Sequence, residues 1–167
     1  MNPAGDLYVS DFYHDRIEVF TQVPSQPRRP DALIRRSPNP WVGDGIHNLT
    51  GVDQSSSRSL ARGAKGTFLV KAQNDGSDVD RFLLQGCSSD AGFTVAYLSG
   101  STTITNAVVN GTYKTGNLAP NVSKTIKVVI GAKAGTASGS QKDCLITVSS
   151  FADPAQKDAV DAVATVT

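Results

Sequence analysis

From Gly66 onward, apolar and polar residues alternate in short runs. Phe68, Val70 and Ala72 share one side of the first run, with Leu69, Lys71 and Gln73 on the other. The pattern repeats at Phe82 and Leu84, at Phe93, Val95 and Tyr97, and at Ile126, Val128 and Ile130. It returns at Cys144, Ile146 and Val148, and at Val160, Ala162, Ala164 and Val166. A period of two is that of a strand with one buried face. Turn residues separate the runs, at Asn74-Asp75-Gly76, Leu118-Ala119-Pro120 and Asp153-Pro154. Ser99 to Gly111 shows no helical stripe, and only Asp153 to Lys157 carries a helix signal. Short strands at this spacing predict an all-β antiparallel sandwich over residues 41–167.

The chain ahead of the sandwich reads differently. Two period-two runs, at Leu7, Tyr8 and Val9 and at Ile17, Val19 and Phe20, flank the polar stretch DFYHD. They predict a β-hairpin arm over residues 1–22, with apolar side chains on both faces of each strand. Residues 23–40 hold Pro24, Pro27, Pro30, Pro38 and Pro40 and read as a stiff linker, with a short strand at Ala32 to Arg35. Gly43-Asp44-Gly45 argues for a bulge or sharp bend, and Gln54 to Arg62 for a loop or edge strand.

Composition narrows the function classes. Net charge is +1 and charged residues make up 19% of the chain, which gives no field to steer toward nucleic acid. The basic pairs Arg28-Arg29 and Arg35-Arg36 read as solvated linker charge. No run approaches the roughly 20 apolar residues of a membrane helix. The residues after Met1 lack the basic and apolar regions of a secretory signal, and Met1 is read as a processing or cloning boundary of an exported module.

Candidate chemistry is sparse. Cys87 and Cys144 either bridge, in an oxidising compartment, or sit as two buried thiols. Neither lies in a CxxC pair. His14 and His47 are the two histidines, and no nucleophile elbow, phosphate loop, dinucleotide fingerprint or HExxH occurs, so the chain is read as a non-enzyme without a cofactor. Asn74, Asp75, Asp78 and Asp80 form the best acidic cluster for Ca²⁺, but their spacing fails the EF-hand pattern and suits turn chemistry better. Asn48, Asn110 and Asn121 begin Asn-x-Ser/Thr sequons.

Two family resemblances sit on these residues. Gly5, Leu7-Tyr8-Val9, Asp11, Arg16-Ile17 and Val19-Phe20 resemble one NHL-type propeller repeat, with His14 where Asn is usual. A propeller needs further repeats and none follows, so no propeller function is implied. TFLVKAQNDGSDVDRFLL, GFTVAYL, LAPNVSKTIKVVI and ITVSSFADPAQKDAV are similar to the Ig-like modules of bacterial surface proteins, including the CARDB class (cell-adhesion-related domain in bacteria), with Asn121 in place of the usual Gly. That resemblance implies an Ig-like fold and an extracellular or cell-surface setting.

The expectation is a secreted structural or adhesive module whose partners are copies of itself or other modules of the same protein. The arm residues Leu7, Tyr8, Val9, Ile17, Val19 and Phe20 are the candidate assembly strands, either completing a neighbour's sheet in a fibre or array or folding back as edge strands of their own sandwich. The alternative is a carbohydrate- or protein-binding accessory domain, for which Trp41 is the sole tryptophan available as a platform.

Overall fold

A computed structural model describes residues 7–11, 13, 14, 16–20 and 26–167. The first two strands, β1 (Leu7–Asp11) and β2 (Arg16–Phe20), pair antiparallel with Leu7 opposite Phe20 and Asp11 opposite Arg16. This hairpin is a two-stranded sheet of its own, hydrogen-bonded as strands to neither of the other sheets. It is not an edge of its own sandwich.

The remaining chain forms β3 (Pro30–Arg35), β4 (Ser55–Leu60), β5 (Lys65–Asn74), β6 (Phe82–Gln85), β7 (Phe93–Ser99), β8 (Thr102–Thr103), α1 (Thr105–Val109), β9 (Tyr113–Lys114), β10 (Ser123–Ala132), β11 (Gln141–Ser150) and β12 (Lys157–Val166). One sheet runs β3-β5-β10-β7-β8 and the other β4-β12-β11-β6-β9. All ladders are antiparallel except β12 with β4, which is parallel and sets Asp161 opposite Ser55. The architecture is an Ig-like β-sandwich with an N-terminal hairpin.

The alternation that predicts the strands also builds the core. Phe68, Val70 and Ala72 of β5, Ile126, Val128 and Ile130 of β10, and Tyr97 of β7 meet Phe82 and Leu84 of β6, Ile146 and Val148 of β11, and Val160, Ala162 and Ala164 of β12. All these side chains are buried. Removing such surface from water is the main stabilising term, worth roughly 1.5–3 kcal/mol for each large apolar side chain before entropy is counted.

Two stretches differ from expectation. The short strand expected at Ala32 to Arg35 is present as part of β3, but it is a strand of the sandwich rather than of a linker, paired with β5, Pro30 opposite Asn74 and Arg35 opposite Leu69. Five of its six residues are buried, because β3 packs against β12 of the facing sheet as well as pairing in its own. Just ahead of it, Arg28 is not simply solvated: its guanidinium donates to the Val79 carbonyl at 2.6 Å and lies 3.6 Å from the Asp78 carboxylate. The second difference is α1, in the stretch read as non-helical. Its five residues are too few to show a stripe, and only Val108 is buried. Of residues 153–157, which carry the helix signal, 154 and 155 form the turn also expected there, and Lys157 begins β12.

Cys87 and Cys144 form a disulfide with a Cα–Cα distance of 5.2 Å. Cys144 is on β11, and Cys87 comes just after its neighbour β6, so the bridge staples one sheet rather than joining the two.

Candidate functional site

Three places in the described residues hold chemistry or an open surface. The first is the hairpin. Tyr8 is 50% exposed, Val9 41% and Ile17 68%. Among the described residues each hairpin strand has one strand partner, the other strand of the hairpin. The side chains of Leu7, Val19 and Phe20 lie outside the described residues.

The second is the outer edge of β4. Gln54 and Leu60 direct their carbonyls toward Asp161 of β12 and toward Thr167, accepting from those two amides at 3.0 and 2.9 Å. In a parallel ladder, alternate residues face opposite sides. Ser55, Ser57 and Ser59 therefore direct their backbone groups away from β12, and their side chains are exposed. Ser55 and Ser57 line a groove with Arg36, Asn39, Pro40 and Val42.

The third is a buried polar cluster where β3, the segment 43–54 and the start of β12 meet. Asp158 is its hub and is fully buried. Its Oδ2 accepts from the Ala32 amide at 2.7 Å, across the sandwich. Its Oδ1 accepts from the Asn48 amide at 3.0 Å, the Gln54 side chain at 2.9 Å and its own neighbour Ala159 at 2.8 Å. Asp31, also fully buried, accepts from the Gly45 amide at 3.1 Å through Oδ2. Gly43 makes this approach feasible: its φ is +107°, and a Cβ there would lie 2.7 Å from the Ala32 carbonyl oxygen. The expected Gly-Asp-Gly bend is thus the turn that brings Gly45 onto Asp31.

Burial pushes the Asp31 carboxyl up to about 7; the Gly45 amide opposes this, while the negative fields of Asp75, Asp158 and Asp44 add to it. His47 is partly exposed, with Nδ1 3.2 Å from the Pro30 carbonyl oxygen. Among the described residues, Asp31, His47 and Asp158 are the group of His, Cys, Asp or Glu close enough to hold one metal ion. A cleft lined by Gln26, Arg29, Pro30, His47, Gln156 and Lys157 opens beside it.

The acidic turn singled out in the sequence does not converge in this way. Asn74 is buried and organises the turn, donating to the Asp78 and Leu118 carbonyls at 2.8 Å each and accepting from Gly76 at 3.0 Å. Asp75 accepts from Gln73, Asp78 faces Arg28, and Asp80 accepts from Ser150 and the Arg81 amide. Each carboxylate has a separate partner, as turn chemistry requires. Trp41 is half-buried, with the Arg35 guanidinium 4.5 Å and the Lys71 ammonium 4.6 Å from its ring centroid. Of the sequon residues, Asn48 is engaged with Thr50 and Val52, Asn110 ends α1, and Asn121 has a φ of 64°.

Asp31, Asp158 and Gln54 carry no motif. The one sequence signal for them is an aspartate placed inside the apolar run Pro30 to Ile34.

No protein-family model matches the chain, and no curated protein matches it significantly. The likenesses to the CARDB class and the NHL repeat therefore reach no further than an Ig-like sandwich and a hairpin. Among solved structures, the chain is similar to a FixG-related protein from Vibrio parahaemolyticus, with 9% identity over 82% of this chain and 95% of that one and a TM-score of 0.45. It is also similar to part of a family 123 glycoside hydrolase from Clostridium perfringens, with 10% identity over 83% of this chain but 27% of that one and a TM-score of 0.49. The PapD-like domain 7 of human CEP192 shows 11% identity over 88% of both chains and a TM-score of 0.40. These are likenesses of architecture and bring no activity or ligand with them.

Proposed function

We propose that the chain is a non-enzymatic structural module of an extracellular or surface protein, which assembles by adding its N-terminal hairpin to the sheet edge of a second copy. The observation that carries this reading is the hairpin itself: a two-stranded sheet joined to neither five-stranded sheet, with Tyr8, Val9 and Ile17 exposed. An isolated two-stranded hairpin is marginal in water and gains most from a third strand. The disulfide supports an oxidising setting.

The edge of β4 is the acceptor we favour. Its outward-facing Ser55, Ser57 and Ser59 present the unpaired backbone groups that strand addition uses. At six residues it matches the five-residue hairpin strands in length.

Light scattering on the full chain and on one beginning at Gln26 tests the reading. The cut belongs at Gln26 because Gln26, Pro27 and Arg29 already accept backbone hydrogen bonds from Ser77, Asp78 and Asp75. Concentration-dependent assembly of the full chain, lost on truncation and in Ser57→Pro, is the expected result. Proline at Ser57 removes an outward amide that the β12 ladder does not use. A full chain that stays monomeric at high concentration overturns the proposal. Assembly that survives Ser57→Pro overturns the choice of β4.

A further inference from the structure

We propose that Asp31, His47 and Asp158 form a binding site for a divalent transition-metal ion of the Zn²⁺ type. The inference is independent of the assembly reading. One ligand atom from each of the three lies within 4.8 Å of the others.

The protonation states follow from the partners. A carbonyl oxygen can only accept, so the contact with Pro30 places the imidazole proton on Nδ1. In the neutral ring His47 Nε2 carries the lone pair, and it is buried without a partner. Oδ1 of Asp31 is likewise buried without a partner. Asp158 Oδ1 is saturated by three donors, whereas Oδ2 has only the Ala32 amide and keeps a lone pair. Asp31 and His47 thus each bring a buried polar atom without a hydrogen-bond partner to a cluster whose third member, Asp158, is a buried carboxylate. A cation is what such a set binds.

Gln54 gives a separate indication. It is fully buried, its Nε2 holds Asp158, and its Oε1 has no partner of its own. An acceptor of this kind can receive a hydrogen bond from a water completing the ion's coordination.

Each candidate ligand is also aimed by a backbone group: His47 by the Pro30 carbonyl, Asp31 by the Gly45 amide, and Asp158 by the Ala32 amide. Outer partners of this sort orient metal ligands and strengthen binding. Ligand atoms about 2.0–2.2 Å from one ion lie roughly 3–3.6 Å apart, so the group must close slightly. His47 is the member free to do so, being partly exposed on a loop.

One imidazole with two carboxylates suits Zn²⁺ or Mn²⁺. Ca²⁺ instead takes six to eight oxygens. The bound ion would cross-link β3, the 43–48 segment and β12, and so both sheets.

Calorimetric titration of the tag-free, chelator-stripped full chain with ZnCl₂ tests this, with a melting curve at each metal ratio. One saturable ion per chain and a rise in Tm are expected. His47→Gln should weaken binding by at least ~10-fold, and Asp31→Asn similarly, while His14→Gln leaves it unchanged. Circular dichroism verifies that the variants fold. No saturable Zn²⁺ binding at millimolar metal overturns the site, as does a His47→Gln chain that binds like the parent. Binding of Ca²⁺ more tightly than Zn²⁺ overturns the metal class.

Discussion

The Tyr97 hydroxyl donates to the Cys87 carbonyl oxygen at 2.9 Å, tying β7 of one sheet to the segment just after β6 in the other. The Tyr97 hydroxyl oxygen also lies 3.2 Å from the Cys144 sulfur, so the tyrosine caps the disulfide inside the sandwich. Burial holds the phenol well above its ordinary pKa, so it stays a neutral donor across the accessible pH range. Tyr97→Phe keeps the ring but leaves the Cys87 carbonyl without this donor. Because this bond is only partly buried, urea unfolding should show a loss of about 1 kcal/mol, near the net worth of one hydrogen bond.

Gly86 depends on the same contact. A Cβ at this position would collide with the Tyr97 hydroxyl and ring, and the tyrosine is fully buried with little room to move. Gly86→Ala should therefore destabilise the Tyr97 protein by more than the Tyr97→Phe protein. Melting curves of the two single variants and the double variant measure that coupling. Equal effects in both backgrounds would show that the collision relaxes elsewhere.

The disulfide joins residues 57 apart in sequence, a loop long enough for roughly 4 kcal/mol of unfolded-state restriction on the chain-entropy model. Because it staples β11 to the end of β6 within one sheet, its loss should loosen that edge and α1 before the β5–β10 ladder. A Cys87→Ala/Cys144→Ala chain should unfold at lower urea. Hydrogen exchange should show early loss of protection in residues 82–85 and 105–114. Uniform loss along the chain would contradict the local account.

Most of the sandwich is legible in the sequence because its strands have one buried face each. Val70, Ile126, Val148 and Ala162 announce themselves by alternating with polar neighbours. β3 does not. Ala32, Leu33 and Ile34 are all buried, so no alternation survives, and the flanking prolines favour a linker reading. The Asp31–His47–Asp158 cluster is hidden for another reason. Ala32 and Asp158 are 126 residues apart, and nothing local marks which aspartate the sheets will enclose. Asn and Asp serve turns so often that an acidic run such as Asp75, Asp78 and Asp80 is a weak signal by itself.

Trp41 is held by cations rather than left open as a platform. Arg35 and Lys71 both lie over its ring, and such contacts are worth roughly 0.5–1 kcal/mol each at partly exposed sites. Trp41→Ala should lower Tm modestly, and Lys71→Ala by less. Glycan-array binding by the parent chain that disappears in Trp41→Ala would favour the carbohydrate-binding alternative instead.

Asp31 makes the metal-free protein pH-sensitive, and the sign can be worked out. Its folded pKa is raised to about 7 by burial, whereas in the unfolded chain it keeps the ordinary value of 3.8. Between those values the folded state holds a proton that the unfolded state has released. Stability therefore falls as pH rises through this window and levels off above it. Burial also raises Asp161, which adds to the same slope, while Asp90, lowered by its hydrogen bond to Lys142, titrates below it. Melting curves in chelator at pH 5 and pH 8 should give a lower Tm at pH 8 for the parent chain. Asp31→Asn, which mimics the protonated carboxyl, should show a much smaller drop and exceed the parent at pH 8. If the two chains fall equally, Asp31 is ionised in the folded protein throughout, and the Gly45 amide together with solvent reaching His47 must offset its burial.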